Sequence, residues 1–437
     1  MGAVVMKALL LETTGTLRDL RGASVGIGAL ALGLLAPSEA WAQCTDNFNV
    51  IVPVGIGFAA ASTFPIASSV NAFISTINTM NTAFLTTTSA FVSAPANPRP
   101  DQPGGGVWAR TVAGSTDSDT SSTGNLDISK TALPFQITGT QKCNTSITQD
   151  YWGYQAGADF SILNHAGTGE NWHWGVTGGS LQAWSRDTTP GGTFVNPNFP
   201  GVPLTTLPGD LKVSTEVPYV GVYTAYTKGN FFADAQLRFD FYQNAISEVL
   251  SGLSGRGLDA HGVSTTYNAG YHVPLQSGWF VEPSAGFVWS RVSIDSLSLA
   301  VPGVLPVPVK GIVTFGDIES DLGRGSFTIG NTFTHAGVTW QPYFTASVFH
   351  EFDGNATATG LLAGNSNPLI DGATATSHTT GGVGTYGQYA LGTVAVLGNS
   401  GWLGYVRGDY RKGDDIEGWG ITGGLRYQLN PVSAPLK

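Results

Sequence analysis

The chain has 437 residues, with 59 glycines, two cysteines, 11% aromatic and only 11% charged side chains, and a formal net charge of −10. A cytosolic globule carries about a quarter of its residues charged, and no Lys/Arg cluster offers the positive stripe that a phosphate backbone requires. This composition argues against a nucleic-acid partner and suits alternating strands, which never build one long apolar run.

Residues 1–42 read as an export signal. Arg18 and Arg21 precede the apolar run Ala23–Ala36, and Ala40-Trp41-Ala42 places small residues at −3 and −1 of a cut before Gln43. The run is shorter than the about 20 residues that span a bilayer, so an uncleaved anchor is the lesser alternative. A lipoprotein cut before Cys44 is disfavoured because Gln43 sits where a small residue is needed.

A helix is predicted over residues 65–93, within a short segment 43–106. Pro65 suits a first helical turn, and Ile66, Val70, Phe73, Ile77, Met80, Phe84 and Phe91 mostly recur at spacings of three and four. No charged residue occurs from Asn47 to Pro98. At 1.5 Å per residue the helix would be about 40 Å long, enough to cross a membrane-height barrel. A helix lodged in a barrel lumen is one reading, and a periplasmic or partner-bound amphipathic helix is the other. Its many β-branched residues make it dependent on packing. The stretch Ala94–Gly106 is a Pro/Gly linker.

From Val107 onward, twelve strands are predicted, at 107–114, 146–163, 172–186, 211–228, 231–248, 259–276, 279–296, 321–335, 338–352, 384–397, 402–411 and 418–429. Their period is two, so alternate side chains leave opposite faces. In the fifth strand, Phe231, Ala233, Ala235, Leu237, Phe239 and Phe241 would face lipid, while Asp234, Gln236, Arg238 and Asp240 would face a lumen. In the ninth, Trp340, Pro342, Phe344, Ala346 and Val348 oppose Gln341, Tyr343, Thr345 and Ser347, and Pro342 removes one ladder donor. In the last hairpin, Trp402, Val406, Tyr410, Trp419, Ile421, Leu425 and Leu429 share one face. Arg407, Asp409, Arg411, Thr422, Arg426 and Gln428 share the other. Aromatics at the ends of an apolar face and charges on its reverse are the mark of a transmembrane β-strand.

Short connections follow the fourth, sixth, eighth and tenth strands (TKGN, LQSG, HAG, LGNSG), and NHAGTGEN follows the second. Long Ser/Thr/Gly/Pro/Asn-rich loops such as Ser115–Thr145 and Asp353–Val383 follow the odd ones. The predicted fold is therefore all-β: a 12-stranded antiparallel transmembrane β-barrel over 107–430, with the N-terminal helix in the lumen and a tail 431–437. Short turns would face the periplasm and long loops the outside.

The pieces IESDLGRGSFTIGNTF at 318–333, with Leu322, Gly323, Arg324 and Gly325, WQPYFTASVFHEF at 340–352, with Pro342, Tyr343, His350, Glu351 and Phe352, and the closing GWGITGGLRYQL stand out. Together with a helix before twelve strands, residues 65–430 resemble the β-barrel translocator domain of autotransporters, the type V secretion proteins. The resemblance implies a Gram-negative outer-membrane location. Two departures from the family pattern are expected to matter. Cleavage before Gln43 would leave about 22 residues ahead of the helix, so no sizeable passenger is expected, and the last strand is followed by PVSAPLK instead of ending on an aromatic. Self-cleaving members cut at paired asparagines, whereas Asn71, Asn78 and Asn81 are isolated.

No enzyme is expected. His350 and Glu351 are adjacent in a strand and point to opposite faces. His261, His272 and His335 sit near strand ends, and no G-x-S-x-G elbow occurs. Asp117 and Asp119, in a Ser/Thr-rich loop, and Asp414, Asp415 and Glu417 lack the ligand set of a calcium loop. No metal site and no cofactor are expected. The lumenal charges Asp234, Arg238, Asp240, Glu282, Arg324, Arg407, Asp409 and Arg426 form a candidate site. They could filter solutes at a constriction or grip the helix, or they could simply satisfy one another. Gly178-Gly179 and Gly423-Gly424 would ease curvature or close helix approach. Cys44 and Cys143 could form one disulfide, which would require the N-terminal segment to pass through the lumen.

The expected partners are outer-membrane lipid and lipopolysaccharide and the barrel-assembly machinery, with the barrel monomeric. The preferred function is a stand-alone barrel with a structural or surface role and a plugged lumen. A working translocator or small porin-like channel is the alternative, and a soluble secreted β-protein that binds a ligand comes third.

Overall fold

A computed structural model of the chain describes residues 45–48, 63–83, 98–127, 138–188, 211–248, 253–301, 309–363, 371–380, 383–398 and 400–429. The export signal, residues 84–93 of the predicted helix, Cys44 and the tail 431–437 lie outside these. In chain order the elements begin with β1 (Thr45–Phe48), α1 (Thr63–Ala83), β2 (Gln102–Asp127), β3 (Thr138–His165), β4 (Glu170–Asp187), β5 (Lys212–Lys228) and β6 (Phe231–Glu248). There follow β7 (Leu253–Tyr271), β8 (Val273–Pro274), β9 (Trp279–Ile294), β10 (Leu297–Val301), β11 (Val309–Phe315), β12 (Ile318–Asn331) and β13 (Phe333–His335). The last are β14 (Val338–Glu351), β15 (Ala356–Leu362), β16 (Thr374–Thr380), β17 (Thr385–Leu397), β18 (Trp402–Gly413) and β19 (Ile416–Gln428).

Twelve of these, β2 to β7, β9, β12, β14 and β17 to β19, form an antiparallel ring. It closes where β19 meets β2, from Gly106↔Gln428 to Ser118↔Ile416. β8 and β13 are short rim pieces paired to β9 and β14. Side-chain parity follows the sequence pattern. On β6, Phe239 and Phe241 are about half exposed while Asp234, Gln236, Arg238 and Asp240 are buried inside. On β14, Trp340, Phe344 and Val348 point out, and Thr345 and Ser347 point in.

Pro342 leaves the expected gap. The β12–β14 ladder runs to Gly330↔Tyr343 and resumes as β13 at Phe333↔Trp340. Asn331, on the lipid parity of β12, falls at this rim and donates to the Ser277 carbonyl at 3.0 Å.

The aromatic girdles bracket the last hairpin. Trp402 pairs with Tyr427 near the short-turn end, and Tyr410 pairs with Trp419 eight residues further on. Eight residues of strand are about 26 Å of contour. Strand tilt brings the height between the two aromatic pairs to about 20 Å, close to the apolar band of a transmembrane barrel. Val406, paired with Gly423, lies midway.

The long loops are more ordered than their composition predicts. β2 and β3 run on as a hairpin to Asp127↔Thr138, so the loop assigned to Ser115–Thr145 is mostly strand. Asp117 sits in that strand, accepting from Thr148 Oγ1 at 2.6 Å. Beyond Ser118, β2 leaves β19 and pairs with β16. From there the sheet continues β16–β15–β11–β10, with β1 paired to the far side of β3. Hydropathy alternates only where one face meets lipid. These extensions bury one face but fill it largely with small or polar residues such as Ser118, Ser122, Ala356, Ala358, Ser377 and Thr379, so little alternation of hydropathy betrays them to a pattern search.

α1 is shorter than predicted and lies inside the ring: every residue from Val70 to Ala83 is buried. Val70, Phe73, Ile77 and Met80 pack with Leu211, Val213, Leu258, Val292, Ile318 and Ala356. Phe73 meets Phe315 edge-on at 6.2 Å between ring centroids.

A charge at the mid-height of the outer face tests this orientation. Val406→Arg should cost about 2–4 kcal/mol, read as a lower urea midpoint for the barrel refolded in lipid vesicles. An unchanged midpoint would mean that this face does not meet hydrocarbon.

Candidate functional site: the barrel lumen

The lumen holds three polar clusters, two of them toward the short-turn end and one around the helix. Nearest the short-turn end, Arg426 of β19 reaches across β2 to Asp159 of β3. The contact is bidentate, with Nη1–Oδ2 at 2.6 Å and Nη2–Oδ1 at 2.9 Å, and both side chains are fully enclosed. His173 Nδ1 lies 3.3 Å from the same carboxylate, and Tyr223 donates to it at 3.2 Å while accepting from Trp108 Nε1 at 2.8 Å. Nearby, Arg110 donates to Gln155 at 2.6 Å.

A second cluster lines an open cavity of about 470 Å³ at the short-turn end, bounded in part by Asp234, His272, Glu282, Arg324, Tyr343 and Arg407. Arg324 donates to Asn268 at 3.0 Å, and Asn268 donates to Asp234 at 2.9 Å. Glu282 lies 3.3 Å from His272.

The third cluster surrounds the C-terminal end of α1. The helix has no basic residue in its last turn, so the wall supplies two. Arg238 holds Asp240 through two bonds, at 2.6 and 3.1 Å, and donates to the Met80 carbonyl at 3.2 Å. Arg411, 3.5 Å from Asp409, donates to Thr82 Oγ1 at 3.1 Å. Cations here meet the negative end of the helix dipole and satisfy otherwise orphan groups. Arg407 donates to Gln388 and Gln388 to Asp409, at 3.0 and 2.8 Å.

The other contacts of the helix are with neutral groups. Thr79 donates to Gln149 at 2.6 Å, and Gln149 donates to Thr76 and Ser185, each at 2.8 Å. Asn81 donates to Ser290 at 2.9 Å and Ser320 at 3.2 Å, and Ser320 passes a bond to Glu351 at 2.7 Å.

Comparison with known proteins identifies the family of the barrel. The model of the autotransporter β-domain family matches residues 107–409. The chain belongs to the autotransporter β-domain family. It is 29% identical over 280 residues to the pertactin autotransporter of Bordetella bronchiseptica, a match that covers 63% of this chain and 26% of that protein. The chain thus spans about a quarter of the length of that relative. The transport unit of the autotransporter AIDA-I from Escherichia coli superposes with a TM-score of 0.53 at 14% identity, covering 82% of this chain and 98% of that one. The β domain of the Bordetella autotransporter BrkA gives 0.46 at 21% identity, covering 74% and 98%. The protein is an autotransporter translocator-type barrel of the Gram-negative outer membrane.

In this autotransporter barrel the eight charges singled out from sequence all lie on the lumenal parity, but they do not form one network. Asp234, Glu282, Arg324 and Arg407 border one cavity, Arg238 holds Asp240, Arg407 is linked to Asp409 through Gln388, and Arg426 is paired instead with Asp159. Its partner Asp159 escaped the sequence reading, as did Arg110, His173, Gln149, Gln388 and Arg411's role at the helix. Parity could have found Asp159, because its neighbour Phe160 is exposed on the lipid side. The partnership itself skips a strand and leaves no trace in local sequence. An added Cβ at Gly179 would meet the Tyr154 backbone carbonyl at 2.1 Å and the Tyr219 hydroxyl at 2.8 Å, so that glycine makes room for the neighbouring strand and a wall tyrosine and not for the helix.

At the periplasmic mouth, Asp101 Oδ1 accepts from the Ala166 backbone N–H at 3.0 Å and lies 2.9 Å from His165 Nδ1. That N–H first, and His165 second, hold this carboxyl below the usual carboxylate range. Asn164 donates to the Pro98 carbonyl at 2.8 Å, which fixes the start of β2 beside the β3–β4 turn.

Removing one side of the enclosed pair should be costly. Arg426→Met leaves a buried carboxylate uncompensated and should destabilise the folded barrel by about 3 kcal/mol. Adding Asp159→Asn should recover part of the loss. Urea titration of the single and double variants measures both, and equal midpoints for wild type and single variant would contradict the pairing.

Proposed function

We propose that this autotransporter barrel keeps its lumen closed with its own N-terminal helix and serves a structural or surface-interaction role, not a catalytic one. One observation carries the reading: α1 is buried from Val70 to Ala83, with its polar groups bonded to walls on several sides. Two gaps between the helix and the wall measure only about 10 Å³ each, room for about one water. At its outer end the barrel presents the continuous sheet built from β2, β3, β10, β11, β15 and β16 as the surface available to the medium. The non-catalytic part of the reading is supported by His350 and Glu351. His350 bonds Thr385 outside, and Glu351 turns inward to Ser320.

The monomeric barrel sits among outer-membrane lipid and lipopolysaccharide, placed there by the barrel-assembly machinery after export on a cleaved signal at residues 1–42. The acidic net charge and the lack of a basic stripe speak against nucleic acid. One observation favours a second reading, that of a translocator or small-solute channel. The cavity of about 470 Å³ at the periplasmic end is open and lined by both signs of charge.

Planar-bilayer recording separates the two readings. The full-length barrel should show no steady conductance, and deletion of residues 63–83 should produce one. Steady conductance of the same size in both would establish the channel instead.

A further inference from the structure

The walls of the cavity at the short-turn end change character with depth. Phe232, Phe280, Val396 and Leu403 border it, and each stands one residue in from the short-turn end of its strand, β6, β9, β17 or β18. These four line the mouth. Arg407 borders the same cavity further along β18, next to the mid-height Val406, and Arg324 borders it well inside β12, which ends at Asn331. Beyond them comes the end of α1. Arg238 and Arg411, which hold it, follow Asp234 and Arg407 by one further stretch of the same two strands. The cavity thus has an apolar mouth toward the periplasm and a cationic inner end beneath the helix.

Arg324 is the group that calls for a ligand. The strands β12, β9, β7 and β6 set Arg324, Gly286, Asn268 and Asp234 directly opposite one another in one row. Gly286 keeps that row open, because an added Cβ there would meet Asn268 Oδ1 at 2.6 Å and Arg324 Nε at 3.3 Å. The guanidinium crosses the gap and donates to a neutral amide, from Nη2 to Asn268 Oδ1 at 3.0 Å. Asp234 compensates it only at one remove, by accepting from Asn268 at 2.9 Å. Arg324 Nε, enclosed in the wall, has no hydrogen-bond partner. A guanidinium drawn out of water carries a desolvation cost that an amide oxygen offsets in part, whereas a carboxylate offsets it with charge-assisted, bidentate bonds. Arg407 brings a second guanidinium to the same space, bonded to the Gln388 amide at 3.0 Å. Glu282, the other carboxylate on this wall, lies 3.3 Å from His272.

The geometry points to a binding site for a small amphipathic anion, a carboxylate on an apolar body, that enters from the periplasm with its charged end first. The carboxylate takes its place between Arg324 and Arg407, and the body rests against the aromatic and aliphatic side chains of the mouth. A cavity of about 470 Å³ is within the range that holds small organic ligands. A neutral molecule of the same shape leaves both guanidiniums on amides, and a cation meets them with repulsion. The site deepens the small-solute reading and rests on it for access from the periplasm alone. Binding reports on the site and conductance on a path through the ring, so either can fail without the other.

The test uses the full-length barrel in lipid nanodiscs, with phenylacetate as the probe, isothermal titration calorimetry as the readout and empty nanodiscs as the blank. The wild type should bind phenylacetate at one saturable site. 2-Phenylethanol lacks the charge, phenethylamine has the opposite charge and inorganic phosphate lacks the apolar body, and each should bind about tenfold more weakly or worse. Arg324→Gln, checked for folding by its heat-modifiable migration, should weaken phenylacetate binding by about the same factor, and Arg324→Lys should weaken it less. Val396→Glu leaves both arginines untouched and brings a carboxylate to the mouth, so it should also weaken phenylacetate binding. No saturable binding by the wild type, equal binding of 2-phenylethanol, or unchanged binding in Arg324→Gln or in Val396→Glu would overturn the site. Equal binding of inorganic phosphate would overturn the apolar half of the assignment.

Discussion

An unpaired backbone N–H or C=O in hydrocarbon costs several kcal/mol, and no water is present to relieve it. Each strand of this chain must therefore find two neighbours across the membrane, and the first and last must find each other. The β2–β19 seam does this from Gly106↔Gln428 to Ser118↔Ile416, and Leu429 adds one more bond to the Gly105 carbonyl at 2.8 Å. Above Ser118 the constraint is gone, because water can satisfy the backbone. That is where β2 changes partner from β19 to β16 and the ring opens into a sheet with an edge. The edge is then taken by β1, the chain's own N-terminal segment.

Closure also fixes the chemistry of the lumen. With every outward side chain committed to lipid, each strand has only its inward parity for polar groups, and those groups must satisfy one another in a narrow space. The wall manages this with residues that reach sideways and with glycines that make room. Tyr223 lies across Gly175, where an added Cβ would sit 2.4 Å from its ring, and this brings its hydroxyl to Asp159. Asp159 thereby gains Tyr223 and Arg426 from strands that are not adjacent to β3. A charge enclosed this deeply persists only with such a full set of partners.

The membrane-crossing part of the fold was legible because lipid imposes a two-residue period, and Trp402, Val406, Tyr410, Trp419 and Leu425 display it without ambiguity. Pro342 even marked its own gap in the ladder. The outer extensions were not legible, since the buried parity of Ser115–Asp127 carries Thr116, Ser118 and Ser122 and so shows no apolar alternation. The lumenal charges could be assigned to a face but not to partners. Arg238 and Asp240, two apart on one strand, were within reach of a local reading. Arg426 and Asp159 come together only because the ring is narrow and the Arg426 side chain crosses the intervening β2. The position of α1 was one of two open readings, because Ser, Thr and Asn on its polar side suit a wet lumen and a periplasmic surface equally well.

The division of labour between wall and helix bears on how the helix is held inside the ring. α1 carries no charge, so none of the wall's ions depends on it for a counter-charge. Arg238 keeps Asp240 and Arg411 keeps Asp409 whether or not the helix is present. The helix is held by hydrogen bonds to neutral groups, each worth about 1 kcal/mol net, by two arginines at its C-terminal end and by burial of Val70, Phe73, Ile77 and Met80. Each such side chain contributes about 1.5–3 kcal/mol when taken from water. Its own propensity is poor, with Ser, Thr and Asn throughout Ser68–Thr82, so the helix loses its fold as well as its contacts if it leaves. Removal would therefore cost the helix far more than the wall. A ring that is electrostatically complete without the helix can assemble before the helix is seated, and a helix that is stable only when packed keeps its fold only inside the ring.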